Sequence, residues 1–179
     1  QEEAICLCAG LLHGLEAHPE YYERNSSDDA PDWCHDQMIW SEGVPLVRDG
    51  AERLVAPMRV DVITYPAPNV FRRKYVGGGT FAHAERAAFR SEASEVFRRR
   101  CRHVVRRAAK AGAEVLILGA WGCGEYGNDP TMVAEHFKAA IETQSGGIER
   151  VVFAVLGRDG MGRKNREAFE RVFAASTRG

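Results

Sequence analysis

Residues 119–130 read Gly-Ala-Trp-Gly-Cys-Gly-Glu-Tyr-Gly-Asn-Asp-Pro, and this glycine-rich stretch decides how the rest of the chain is interpreted. The mostly apolar residues 114–118 precede it and favour a strand, whereas residues 131–143 follow it with the spacing of an amphipathic helix. Asp129 is a candidate N-cap for that helix, and Pro130 suits its first position, where an N–H would be unpaired anyway. The stretch therefore predicts a loop between a buried strand and a capped helix.

The glycines of this loop suggest a place where main-chain amides bind an anion. Four glycines allow the backbone to adopt positive φ and to approach a ligand closely beyond the carboxyl end of a strand. A diphosphate would fit such a concavity, although an ordinary tight strand-to-helix turn has the same composition. Tyr126 also leaves two interpretations open, because its ring could stack on a ribose or a base, or could fill the core or a lid.

The pattern along the chain indicates one α/β domain over residues 1–179. Strand-like runs alternate with helical runs, which favours a mostly parallel sheet covered on both faces. Pro66 and Pro68 end the strand before them, and Gly112 ends the long helix. We expect helices at 3–15, 82–110, 131–143 and 164–174, strands at 38–40, 44–47, 60–65, 114–118 and 150–156, a loop at 19–36, a glycine connection at 77–79 and a turn at 157–162.

Composition limits the functions that the chain can have. With 24 basic and 25 acidic residues the net charge is -1, so any anionic ligand must be bound locally. No apolar run is long enough to span a membrane and no signal sequence is visible, so we expect a cytoplasmic protein without membrane contact. Five cysteines that lack CxxC or disulfide spacing indicate reduced thiols and no metal site.

The triplet Gln1-Glu2-Glu3 places two carboxylates in the first turn of a predicted helix. Acidic residues there complement the helix dipole, which is a purely structural interpretation. The same carboxylates could instead donate a proton to a leaving oxygen and then activate water, as glycosidic cleavage requires. Spacing alone does not choose between the two.

Four segments together resemble the microbial-type poly(ADP-ribose) glycohydrolase family, and they occur in that family's order. They are Gln1-Glu2-Glu3, Ile-Trp-Ser-Glu-Gly-Val-Pro-Leu-Val-Arg-Asp at 39–49, Ala67-Pro68-Asn69 and residues 119–130. The resemblance covers nearly the whole chain, and the glycine-rich stretch is its most specific element. It implies a macrodomain-like three-layer α/β/α sandwich with a mostly parallel mixed sheet. It also implies an enzyme that cleaves the ribose–ribose O-glycosidic bonds of poly(ADP-ribose) and releases ADP-ribose.

The same resemblance implies roles for individual residues. Glu3, the second glutamate of the triplet, would be the catalytic acid, and Glu2 would hold the ribose beside the scissile bond. A proton donor near neutral pH needs a raised pKa, which we expect for Glu3 from partial burial, from Glu2 and from the phosphates. Neither a metal nor a cofactor is implied. The residues expected to hold the diphosphate and the terminal ribose are Gly122, Cys123, Gly124, Glu125 and Tyr126.

Three further side chains, two in the glycine-rich stretch and one in the Ala67-Pro68-Asn69 segment, each have a predicted role. Asn69 ends a strand and either touches the ligand or forms a turn. Glu125 would repel a diphosphate unless its side chain points into solvent. Cys123 lies on a strand–loop–helix turn, but a nucleophile elbow requires glycine two residues to either side, where Trp121 and Glu125 stand. A structural cysteine is therefore favoured over a nucleophile.

The expected partners are poly(ADP-ribose) or ADP-ribose and ADP-ribosylated proteins, and not sequence-specific nucleic acid. The alternative is a non-catalytic macrodomain that binds ADP-ribose, because Leu7-Cys8-Ala9 stand where relatives often have Arg-x-Ser; a hydrolase of another ADP-ribose derivative is a third possibility. Since a helical pattern begins at once at Gln1, we expect an N-terminally truncated fragment that lacks the family's upstream strand and glycine-rich catalytic loop. The basic run from Arg98 to Lys110 either binds a polyanion or forms a solvated helix face.

Overall fold

The computed structural model of the protein has an α/β fold. It describes residues 2–27, 29–30, 33–71, 83–157 and 160–174, with the backbone alone for 83–86. The expected glycine connection at 77–79 lies outside these ranges. The chain divides into two compact units, Gln1–Pro66 and Ala67–Gly179. A single domain over residues 1–179 stays a prediction.

The N-terminal unit contains three helices and two strands among its described residues: α1 (Glu2–Cys8), α2 (Leu11–Glu16), α3 (Pro19–Ser26), β1 (Ile39–Arg48) and β2 (Leu54–Thr64). The prediction of one helix over 3–15 is wrong, because the chain leaves the helix between α1 and α2. Ala9 forms an antiparallel bridge with Leu46, and Gly10 N–H donates to Pro45 O at 3.0 Å. A contact with a distant strand therefore overrides the local periodicity.

The prediction of a loop over 19–36 is wrong for its first part, which forms α3. Pro19 occupies the start of this helix, where proline is tolerated. The polar residues near its end bond back to the helix, since Asn25 Nδ2 donates to Tyr21 O at 2.9 Å and Ser26 Oγ donates to Tyr22 O at 2.8 Å. These side-chain bonds let a turn-like composition continue as helix.

The strands β1 and β2 pair antiparallel, with Ile39 opposite Thr64. The two predicted runs 38–40 and 44–47 belong to one strand, interrupted by a register shift between Ser41 and Val44. At this irregularity Gly43 N–H donates to Asp61 Oδ1 at 2.8 Å. The apolar core under the sheet comprises Ala9, Leu11, Leu15, Tyr21, Ile39 and Val44.

The described part of the C-terminal unit alternates helices and strands: α4 (His83–Lys110), β3 (Val115–Leu118), α5 (Pro130–Gln144), β4 (Arg150–Phe153) and α6 (Gly160–Ala174). β3 and β4 pair in parallel, with Val115 opposite Arg150, as the alternating pattern predicts. The predicted strand, loop and capped helix around residues 119–130 are confirmed. The last helix begins at Gly160, inside the predicted turn.

A row of aromatic rings forms the centre of this unit. Phe97 of α4 contacts Trp121 edge-on with ring centroids 5.5 Å apart, and Trp121 lies 6.2 Å from Phe137 of α5. Phe153 of β4 continues the row at 5.7 Å from Phe137 and 5.0 Å from Phe169 of α6. The glycine-rich loop is thus anchored through Trp121 to two helices. None of the described helices is long and apolar enough to cross a membrane.

Replacement of the α5 N-cap tests how firmly the loop-to-helix junction is held. Asp129 Oδ1 accepts hydrogen bonds from the N–H groups of Thr131 at 2.7 Å and Met132 at 3.2 Å. We expect Asp129→Ala to lower the free energy of unfolding by about 1 kcal/mol, because two helical donors lose their acceptor. Urea unfolding measures the difference, with Asp129→Asn as a cap-preserving control. Equal unfolding midpoints for Asp129→Ala and the unmodified protein would contradict this role.

Candidate functional site

Three consecutive main-chain amides are available at the tip of the glycine-rich loop. Gly127 N–H donates to Gly124 O at 2.9 Å, which closes a turn over residues 124–127. The N–H groups of Gly124, Glu125 and Tyr126 form no hydrogen bond with the described part of the chain. Successive unpaired amides in a turn make a concavity that binds anions. The loop can therefore hold a phosphate group without any basic side chain.

A buried asparagine fixes the shape of this loop. Asn128 Nδ2 donates to Pro68 O at 2.7 Å and to Gly122 O at 2.8 Å, and only 5% of the residue is exposed. A second tie runs from Val70 N–H to Tyr126 O at 3.1 Å. The loop is thereby fastened to the segment that follows the Ala-Pro-Asn triplet. Asn128 is absent from the predicted site residues, because Gly-Asn-Asp is also ordinary turn composition.

Two glycines of the loop have backbone conformations that disfavour any side chain. Gly122 has φ +70°, and a Cβ there would lie 2.8 Å from Asn128 Nδ2 and 3.0 Å from the Cβ of Ala67. Gly127 has φ +66°, and a Cβ there would overlap the ring of Phe71. The predicted need for positive φ is confirmed at both positions. These glycines serve close packing inside the protein.

The Cys123 side chain is buried, and its thiol is protonated and unreactive. Its N–H donates to Ala120 O at 3.1 Å, and its thiol donates to Trp121 O at 3.6 Å. Burial, followed by the charge of Asp129, raises the pKa of the Cys123 thiol to about 12. A thiol with that pKa is protonated at neutral pH, which supports the structural cysteine over a nucleophile. Its amide is also already used inside the loop, unlike the three that follow it.

The side chains at the loop tip face solvent. Glu125 is exposed, and solvent around its carboxylate weakens the repulsion that a bound diphosphate would otherwise experience. Tyr126 is 40% exposed, so part of its ring is open to a ligand. The side chain of Asn69 accepts a hydrogen bond from Phe71 N–H at 2.9 Å. This contact favours the turn-forming role of Asn69, while ligand contact by this residue stays a prediction.

The two glutamates of the triplet open α1 in the N-terminal unit. Glu3 is exposed, and a hydrogen bond from its own backbone N–H lowers the pKa of its carboxyl below the ordinary value. The expectation of partial burial and a raised pKa is therefore wrong for the unliganded chain. The charges of Glu2 and Glu3, after burial, raise the pKa of the nearby Cys6 thiol. Both carboxylates thus lie close to Cys6.

Tyr22 of α3 lies beside Glu2 and was not predicted from sequence. Burial, the charge of Glu2 and a side-chain hydrogen bond to Glu2 together raise the pKa of the Tyr22 phenol to about 12. Tyr21, its neighbour, packs edge-on at 5.0 Å and is buried. The phenol is thus positioned to orient Glu2. Only the fold brings α3 to the start of α1, so no local signal identifies Tyr22.

The predicted site residues therefore fall into two groups. Glu2 and Glu3 lie at the start of α1, beside Tyr22 of α3, whereas the loop residues 122–126 lie with Asn69 in the C-terminal unit. Among the described residues, no cluster of three or more histidine, cysteine, aspartate or glutamate side chains could hold a metal ion.

Comparison with known proteins assigns the class. Residues 1–49 match the family model described as "Microbial-type PARG, catalytic domain". The chain is 34% identical to poly(ADP-ribose) glycohydrolase from Deinococcus radiodurans, crystallised in complex with ADP-ribose, with a TM-score of 0.82 over 98% of this chain and 68% of that one. The enzyme from Thermomonospora curvata is 37% identical with a TM-score of 0.73, over 93% and 57% of the two chains. No curated protein matches the chain.

These likenesses define an α/β protein of the poly(ADP-ribose) glycohydrolase class. The chain belongs to the microbial-type poly(ADP-ribose) glycohydrolases. The resemblance recognised from sequence is thereby confirmed.

Alanine substitutions at Gly122 and Gly124 distinguish a glycine that is packed inside the protein from one that lies in an open part of the loop. We expect Gly122→Ala to lower the free energy of unfolding by about 1–2 kcal/mol or more, because alanine resists positive φ and its Cβ would crowd Asn128 and Ala67. Gly124→Ala should unfold like the unmodified protein, since no other atom lies within 4 Å of its Cβ position. Urea unfolding of both variants checks this, and equal stability of the two would contradict the packing role of Gly122.

Proposed function

We propose that this member of the glycohydrolase family cleaves ribose–ribose O-glycosidic bonds of poly(ADP-ribose) and releases ADP-ribose. One observation carries the proposal: the turn at Gly124–Tyr126 presents three consecutive unpaired amides. The related enzyme from Deinococcus radiodurans was crystallised with ADP-ribose, a ligand that contains a diphosphate. The proposal includes a macrodomain-like three-layer sandwich over residues 1–179, a cytoplasmic setting and ADP-ribosylated proteins as carriers of the polymer.

The loop holds the diphosphate of the terminal ADP-ribose unit. The amides of Gly124, Glu125 and Tyr126 donate to phosphate oxygens, and hydrogen bonds to charged acceptors are stronger than those between neutral groups. The space around the Gly124 Cβ position is open, which lets the phosphates approach the backbone. The exposed part of the Tyr126 ring packs against the ribose. Gly122 and Cys123 precede these amides. Gly122 O accepts hydrogen bonds from Asn128, and Cys123 N–H donates to Ala120 O, which holds the loop in place.

The carboxyl group of Glu3 performs the acid–base chemistry. Protonated Glu3 gives its proton to the leaving ribose oxygen while the glycosidic bond breaks, and positive charge builds on the anomeric carbon. Glu3 then accepts a proton from the attacking water, whose oxygen bonds to the anomeric carbon, so the carboxyl group returns to its starting state. Glu2, oriented by Tyr22, holds the adjoining ribose.

Glu3 has to take up a proton from solvent before it can donate one, and substrate binding has to favour that protonated form. In the free chain the lowered pKa keeps Glu3 ionised at neutral pH. The negative charge of a bound diphosphate opposes ionisation of a nearby carboxyl group and so raises its pKa. The lowered pKa of the free chain is also the observation that favours the second candidate, a macrodomain that binds ADP-ribose without cleaving it.

Removal of the Glu3 carboxylate distinguishes the two candidates. We expect Glu3→Gln to lower polymer hydrolysis by about 10²–10⁴-fold or more, because a positioned acid–base group contributes that much. Affinity for ADP-ribose should stay within a few-fold. Release of ADP-ribose from labelled polymer and calorimetric titration measure the two effects. Glu16→Gln, an exposed glutamate on α2, is the matched control. Unchanged turnover of Glu3→Gln would refute the catalytic assignment.

Crowding the amide turn tests the diphosphate site directly. Gly124→Ala should fold normally but lose ADP-ribose affinity at least tenfold, because its Cβ would enter the space that the phosphates occupy. Gly147→Ala is the control, since this glycine also has no other atom within 4 Å of its Cβ position and lies outside the loop. Calorimetric titration with ADP-ribose gives both affinities. Equal affinity of the two variants would place the diphosphate elsewhere.

A further inference from the structure

The second half of α4 concentrates positive charge. Residues 96–113 include no aspartate or glutamate. The same segment has seven formally basic residues, in a chain whose net charge is -1: Arg98, Arg99, Arg100, Arg102, Arg106, Arg107 and Lys110. The positive charge of this helix is therefore local, and the net charge of the whole chain does not reveal it.

Four of these cations form one exposed row, which we name the basic stripe: Arg98, Arg102, Arg106 and Lys110. Each is exposed and each lies four residues after the previous one. Residues at this spacing occupy neighbouring positions on a helix surface. At 1.5 Å per residue the stripe extends for about 18 Å. It is long and narrow, which suits a linear ligand.

Most of the stripe is not neutralised by neighbouring acids. Arg98 pairs with Glu95 at 2.7 Å, but Arg102, Arg106 and Lys110 make no ion pair within the described part of the chain. The exposed face of α6 differs. There, two arginines have glutamate partners four residues later, Arg163 with Glu167 at 3.9 Å and Arg166 with Glu170 at 3.5 Å.

Helix stability does not account for the stripe. Like charges four residues apart destabilise a helix, and the stripe contains three such steps. The helix dipole favours cations only in the last turn, which includes Arg107 and Lys110. Arg98 and Arg102 lie too far from the helix end to benefit. A ligand that neutralises the row explains it better than the helix does.

The helical turn of α4 at which the stripe begins contacts the glycine-rich loop through the buried Phe97. Phe97, the residue before Arg98, packs edge-on against Trp121 with ring centroids 5.5 Å apart. The Cζ atom of Phe97 lies 3.2 Å from the Cβ position of Gly122. Phe97 therefore lies at the base of the loop, and α4 runs on from there toward Lys110.

We propose that the basic stripe binds the poly(ADP-ribose) chain beyond the unit held by the loop. This inference rests on the proposed function, because it extends the substrate of the same site. Every unit of the polymer carries a diphosphate, so the chain is a linear polyanion that matches a row of cations. Cations that neutralise phosphates release counterions, which adds affinity that falls with salt. The stripe thus favours long polymers over free ADP-ribose.

The test compares two triple variants of the full chain. Arg102→Gln/Arg106→Gln/Lys110→Gln removes the unpaired part of the stripe and leaves Arg98 in place beside Phe97. Arg163→Gln/Lys164→Gln/Arg171→Gln removes three exposed cations from α6 as the matched control. Fluorescence anisotropy with end-labelled long poly(ADP-ribose) is measured over a range of salt concentrations. Circular dichroism verifies that α4 is retained.

We expect the stripe variant to bind long polymer more weakly at low salt. The slope of log affinity against log salt should become shallower by about 2, since three phosphate contacts are lost at roughly 0.7 each for a single strand. Affinity for ADP-ribose and turnover of a two-unit oligomer should not change. The α6 variant should keep the slope of the unmodified protein.

Three results would overturn the proposal: an unchanged slope in the stripe variant, an equal loss in the α6 variant, or a loss of affinity for single-stranded DNA that exceeds the loss for poly(ADP-ribose). The last result would identify a nucleic-acid surface. Failure of the underlying function looks different, because the unmodified protein would then fail to bind ADP-ribose or to release it from polymer.

Discussion

The double hydrogen bond of the Asn128 side chain is the interaction on which the candidate site depends. Its Nδ2 joins Pro68 O and Gly122 O, which belong to segments far apart in sequence. Because both partners are carbonyl oxygens, the amide can be oriented in only one way. The bond holds Gly122 at positive φ and leaves the next turn free to present Gly124–Tyr126 outward. Loss of this donor would leave the buried Pro68 O without its partner, which is costly, whereas Gly122 O would keep its hydrogen bond from Asn128 N–H at 3.2 Å.

Packing beneath the loop gives that arrangement a rigid base. Trp121 rests between Phe97 and Phe137, so the turn is built on the same aromatic row that connects α4, α5 and β4. A binding site supported by packed side chains needs little reorganisation when a ligand arrives. The same contact joins the loop to the helix that carries the basic stripe. The loop proposed to bind one ADP-ribose unit and the helix proposed to bind the longer polymer would therefore be held by the same packed aromatic side chains.

Local signals were sufficient to predict part of this structure. The strand, the loop and the Asp129 cap around α5 follow from apolar runs, glycine and capping chemistry, each of which acts within a few residues. The break between α1 and α2 does not, because it arises from the bridge between Ala9 and Leu46. Asn128 and Tyr22 were not predicted because their contacts with Pro68 and Glu2 join residues that are distant in sequence, and Gly-Asn-Asp by itself is ordinary turn composition. The lowered pKa of Glu3 arises chiefly from a backbone hydrogen bond, which composition does not specify.

The buried thiol of Cys123 has a consequence for how the protein withstands oxidants. A sulfur atom that stays protonated reacts slowly with peroxides and alkylating agents, because the thiolate is the reactive species. The loop proposed to hold the diphosphate thus contains a cysteine whose reactivity is suppressed by its surroundings. Oxidising conditions that would modify an exposed thiol therefore leave the amide groups of this loop in place.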